Sequence, residues 1–134
     1  MNFSRIVLFS VGLFLLLVVL STIATLIVGA DEAIILSKSF FVTQHVIGFV
    51  FTLFMYIYLS YKQTTKPYLQ AILVASIYWV INLSVSLFLY LFLEVPFEFI
   101  LYLFPVLLHL IAILLGTLFG IQLRQKRGVG VIAI

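Results

Sequence analysis

The chain has 134 residues, 66% apolar and only 8% charged, with a mean hydropathy of +1.39. A soluble domain carries about 25% charged residues, and seven Lys or Arg with four Asp or Glu cannot solvate a surface of this size, so a soluble enzyme is excluded. With no cysteine there is no disulfide, thiolate metal site or redox dithiol, and the net charge of +3 calls for no nucleic acid.

A hydrocarbon core about 30 Å thick needs roughly 20 apolar residues at about 1.5 Å each. Four stretches meet that length, at 6–28, 41–61, 70–93 and 97–121, and none contains Asp, Glu, Lys or Arg. The expected fold is all-α: an integral membrane four-helix bundle, antiparallel and up-down-up-down, forming a single transmembrane domain over 1–134. The first apolar run follows Arg5 and ends near Val28, Gly29 and Ala30. It is longer than the core of a secretory signal, about 7–15 residues, and reads as a span.

The connections are 29–40, 62–69 and 94–96, the last short enough to imply a tight hairpin. Pro67 and Pro96 stand where a first helical turn tolerates a missing amide hydrogen, and Ser37 or Ser39 is placed to cap the second span. Pro105 lies inside the fourth span, removes a bond to the Leu101 carbonyl and should bend the helix one turn before His109. Beyond it come Arg124, Lys126 and Arg127, then the apolar run Gly128 to Ile134, so 122–134 reads as a basic and then apolar cytoplasmic tail that lies on the interface or docks on another subunit.

Orientation follows from the positive charges, which remain on the cytoplasmic side. Arg5, Lys62, Lys66, Arg124, Lys126 and Arg127 fall on one side of a four-pass chain and Lys38 alone on the other. Both termini are therefore expected in the cytoplasm, in a multi-pass protein of the cell membrane, the inner one in a bacterium. Asp31, Glu32, Glu94 and Glu98 lie on the outer side, and Tyr56, Tyr58, Tyr61 and Tyr68 are expected as anchors at the inner interface.

Polar groups inside the spans are costly unless paired, which makes them informative. In the fourth span His109, Ala112, Gly116 and Gly120 share one face, a histidine above a GxxxG groove that serves close packing within the chain or a seam between copies. The third span aligns Ala71, Ala75, Asn82 and Ser86, flanked by Tyr78 and Trp79. Folding the last hairpin near Val95 brings Asn82 level with His109. The second span carries His45, Gly48, Thr52 and Tyr56 on one face, with His45 nearer the outer surface, and Ser21 and Thr25 supply a polar face on the first.

The expectation is a buried polar cluster of His45, Asn82, Ser86 and His109, joined by Thr25. Such a cluster ties helices together at roughly 0.6 kcal/mol per contact, or lines a transport path along which histidine and asparagine relay protons. A third use is b-type haem held by His45 and His109, against which stand their offset in depth and the lack of an Arg beside either. Small size and a basic tail also suit a holin-like pore. The motifs of membrane catalysis are missing: no Ser-His-Asp set, no HExxH, no intramembrane carboxylate pair, no glycine-rich phosphate loop. No catalytic residue, metal site or resident cofactor is expected. The sequence reads as a non-enzymatic membrane protein that works through helix-mediated assembly, with itself or as an accessory subunit of a larger membrane complex, its remaining partner the lipid bilayer.

Overall fold

The computed structural model describes residues 3–29, 31–63, 65–94 and 99–127. Among these there is no strand, and four helices are long and apolar enough to cross a membrane. They are α1 (Phe3–Ile27), α3 (Lys38–Lys62), α4 (Pro67–Leu93) and α5 (Phe99–Lys126), and a short α2 (Glu32–Ile35) interrupts the first connection. Pro96, Glu98 and the apolar tail from Gly128 lie outside the described residues.

Local chemistry sets the boundaries. The αL glycine Gly29 (φ 70°) donates its amide to the Leu26 carbonyl just past α1, a conformation that only glycine adopts without steric cost. Asp31 caps α2, accepting from the amides of Ala33 and Ile34, and Ser37 rather than Ser39 caps α3, accepting from Phe40 at 3.2 Å. Pro67 opens α4 in its first turn. The residue before it, Lys66, is left-handed (φ 43°), as is Glu94 (φ 53°) just past the end of α4. α5 continues through Pro105.

Two helix pairs build the core. α5 lies closest to α3, and the contacts run in the same direction along both: Phe41 with Phe104, Tyr56 with His109, Ser60 with Gly116. α1 lies against α4, where the Ser10 hydroxyl donates to the carbonyls of Ile6 and Val74, at 2.8 and 3.1 Å, and Phe14 meets Tyr78. The α1 contacts with α3 pair Phe9 with Tyr58 and Ser21 with Gln44.

Burial is polarised along the bundle. Every buried residue of α1 lies between Ile6 and Leu13, of α3 between Thr52 and Ser60, of α4 between Pro67 and Ala75, and the buried residues of α5 start at His109. Small side chains cause this: Ser10, Ser60, Ala71, Ala75, Ala112, Gly116 and Gly120 all sit at the end that holds the α3–α4 connection, where they let backbones approach. Toward the α2 end no described residue of α1, α3 or α4 is buried. Exposed apolar side chains such as Leu91, Phe92 and Leu93 fit contact with lipid.

Candidate functional site: an aromatic-boxed histidine beside an intramembrane cavity

Where close packing gives way, a partly open cavity of about 340 Å³ lies between α1, α3 and α5. Its wall is mostly aliphatic, with polar groups from Ser21, Gln44, His45, Thr52 and His109. Gln44 donates its amide to the Ser21 hydroxyl. Thr52 turns its hydroxyl back to the Gly48 carbonyl at 2.8 Å, which satisfies it within its own helix.

His109 stands at the junction of cavity and core, 6% exposed. Its Nε2 lies 2.8 Å from the Tyr56 hydroxyl. The Tyr78 ring stacks on it at 4.9 Å and 30°, Tyr56 meets it edge-on at 5.5 Å, and Trp79 tilts against it at 5.5 Å. Close approach of α5 to α3 makes this possible. A Cβ added at Gly116 would stand 2.7 Å from the Tyr56 Cβ, so the glycine gives Tyr56 the room to reach across.

His45 is placed differently. Its Nδ1 is 2.8 Å from the Phe41 carbonyl, one turn earlier on α3, and its ring touches Phe41 at 4.3 Å and Phe104 at 6.1 Å.

The expected cluster of His45, Asn82, Ser86 and His109 does not close into one network. The Asn82 side chain makes no hydrogen bond among the described residues, and His109 instead meets Tyr78 and Trp79, the turn before Asn82. Ser86 accepts from the Tyr102 hydroxyl at 2.8 Å. The register of α5 against α4 sets His109 beside Tyr78 and Trp79, about a turn from the level at which a fold at Val95 would place it. Thr25 also stays local, donating to the Ser21 carbonyl at 2.9 Å. A histidine–asparagine relay therefore has no continuous path through these residues.

The bis-histidine haem arrangement meets its obstacle at His109. Nε2 is engaged by Tyr56 and one ring face is covered by Tyr78, so iron ligation there would require the hydrogen bond and the stack to break. No group of three or more His, Cys, Asp or Glu is placed to hold a metal among the described residues.

Ala112, Gly116 and Gly120 are buried, and both glycines face α3 within the chain. That groove is thus covered by α3 and not open to a second copy. Two further expectations change. Tyr56 is 1% exposed and belongs to the core, not to the inner interface, whereas Tyr58 and Tyr61 do carry cations over their rings, Lys62 at 5.9 Å from both. Arg124, read as part of the basic cytoplasmic tail, lies inside α5, is fully buried and donates from Nε to the Tyr61 carbonyl at 2.9 Å and from Nη2 to the Ser60 carbonyl. Its spacing of four from Gly120 was the available signal, since it continues the small-residue face by one turn.

No family model, curated protein or solved structure matches the chain.

Proposed function

We propose that the protein is a non-enzymatic, multi-pass membrane protein that binds a lipid-dissolved molecule in the cavity between α1, α3 and α5, and serves as a small accessory subunit of a membrane complex. One observation carries this reading: the cavity is partly open and aliphatic-walled, with a few polar groups converging on it, the combination that marks a binding site rather than a packing defect. Among the described residues no carboxylate lines it, so neither cavity histidine has an acidic partner there to orient it as a general base. Assembly through the GxxxG face of α5 loses its basis, because α3 occupies that face; contact with other subunits would use the outward faces instead.

The pairing of Phe9 with Tyr58 and Ser21 with Gln44, and the same-direction contacts of α1 with α4 and of α3 with α5, support an up-down-up-down course. Together with the asymmetry of positive charge, this supports a cytoplasmic location for both termini. Reporter fusions at residue 1 and after Ile134 should both report a cytoplasmic location, and a C-terminal fusion active on the outer side would overturn the topology.

The cavity reading is tested through Trp79, the only tryptophan, whose ring touches His109 at the cavity edge. In detergent-solubilised protein, 1-bromooctane should quench Trp79 emission with a saturable component above the linear background of micelle partitioning. Ala24→Leu, which fills the cavity from α1, should remove the saturable component while the far-ultraviolet circular dichroism stays helical. Purely linear quenching, identical in both proteins, would sink the reading.

A further inference from the structure

The hydrogen bonds already made by the two cavity histidines determine what each still offers. At His45, Nδ1 faces the Phe41 carbonyl at 2.8 Å; a carbonyl only accepts, so Nδ1 carries the proton and, in the neutral ring, Nε2 is a bare acceptor. That Nε2 has no partner among the described residues. At His109, Nε2 pairs with the Tyr56 hydroxyl at 2.8 Å. Tyr56 is buried and has no other hydrogen-bond partner among the described residues, so its phenolic proton is satisfied only by donation to Nε2, the reverse assignment leaving a buried donor unpaired. Nε2 of His109 is then the acceptor and Nδ1 the protonated nitrogen, itself without a partner among the described residues. One cavity wall thus holds a free acceptor on α3 and a free donor on α5, with aliphatic side chains of α1 around them.

We propose that the cavity takes a neutral, lipid-dissolved alcohol or phenol, whose hydroxyl donates to His45 Nε2 while its hydrocarbon part lies along α1. This inference rests on the cavity reading above and adds the ligand class. A hydroxyl is the smallest group that both donates and accepts, and so suits either histidine. A ketone, ester or ether satisfies only His109 and leaves the acceptor on His45 bare; a carboxylate or ammonium would bring a charge for which the described lining holds no carboxylate, Lys or Arg as counter-charge. No bond is made or broken in the binding.

The experiment uses three matched probes, 4-octylphenol, its methyl ether 4-octylanisole, and octylbenzene, as competitors of 1-bromooctane quenching at Trp79 in the full chain. The phenol should relieve quenching at about a tenfold lower concentration than the ether or the hydrocarbon, the factor expected for one hydrogen bond made in a site screened from water. His45→Phe keeps an aromatic ring against Phe41 and Phe104 and should lower the affinity for the phenol toward that for the ether, while 1-bromooctane quenching persists. The comparison of probes on the unaltered protein needs no variant, so it stands even if the substitution perturbs the fold. Equal competition by all three probes would overturn the hydroxyl assignment and leave the cavity reading intact. A preference for the phenol that survives His45→Phe undiminished would also overturn the use of His45. Absence of competition together with insensitivity to Ala24→Leu would bring down both.

Discussion

Replacing Gly116 and Gly120 together with alanine is expected to lower the thermal midpoint sharply in detergent, and leucine at either position to prevent the native packing of α5 on α3. The contacts leave no slack. A Cβ at Gly116 would stand 2.7 Å from the Tyr56 Cβ and 3.0 Å from the Leu53 carbonyl oxygen, and one at Gly120 would reach 2.5 Å from the Ile57 carbonyl and run into the Ser60 hydroxyl. Several of these neighbours are backbone atoms, which cannot rotate aside, so the helices must separate. Overpacking of this kind costs about 1–3 kcal/mol per site, and separation also withdraws Tyr56 from His109 and Ser60 from the Gly116 carbonyl. Gly12 is the control. A Cβ there meets nothing within 4 Å, so Gly12→Ala should leave the midpoint unchanged or raise it by the helix propensity of alanine, about 1 kcal/mol at most. Circular dichroism melts of the three proteins decide the matter, and equal midpoints would show that α5 does not pack on α3 through this face.

Arg124→Leu is expected to loosen the same end of the bundle by about 2–4 kcal/mol, more than any single polar substitution near the cavity. The last carbonyls of a helix have no partner within it. At the end of α3 the Leu59 carbonyl accepts the Gln63 amide at 3.0 Å, and the guanidinium of Arg124 takes those of Ser60 and Tyr61. Hydrogen bonds from a charged donor contribute about 1.5–3 kcal/mol each, and the negative end of the α3 dipole favours a cation here. Removal leaves two carbonyls short of a partner in a segment where Arg124 itself is 0% exposed. Arg124→Lys should restore only part of the loss, because a single ammonium cannot reproduce the planar fork that reaches two successive carbonyls. Limited proteolysis at the 63–66 connection and the thermal midpoint are the readouts. Retention of wild-type resistance in Arg124→Leu would mean that the cation is held by headgroups and not by α3.

What the sequence determined by itself is the solvent and the lengths. Charge-free runs of about 20 apolar residues can satisfy their backbone in lipid only as helices, and Ser37, Pro67 and the Lys62–Lys66 segment mark boundaries through local chemistry that needs no partner, so four helices and their ends were legible to within a few residues. The small-residue face of Ala112, Gly116 and Gly120 was equally visible as a place where a backbone can approach. Which backbone approaches was not: the pattern is the same whether the neighbour is α3 or another copy, and only the packed structure puts Tyr56 and Ser60 there. Register was decided at the same level. His109 meets the rings of Tyr78 and Trp79 and not Asn82, because the depth at which two helices pack is set by how their side chains fit and not by counting residues through the loop between them. The cavity, too, exists only in three dimensions. It is lined from three helices, with Ser21 and Ala24 of α1 and Gly48 of α3 leaving room beside His45 and His109, a combination that no single segment of the chain displays.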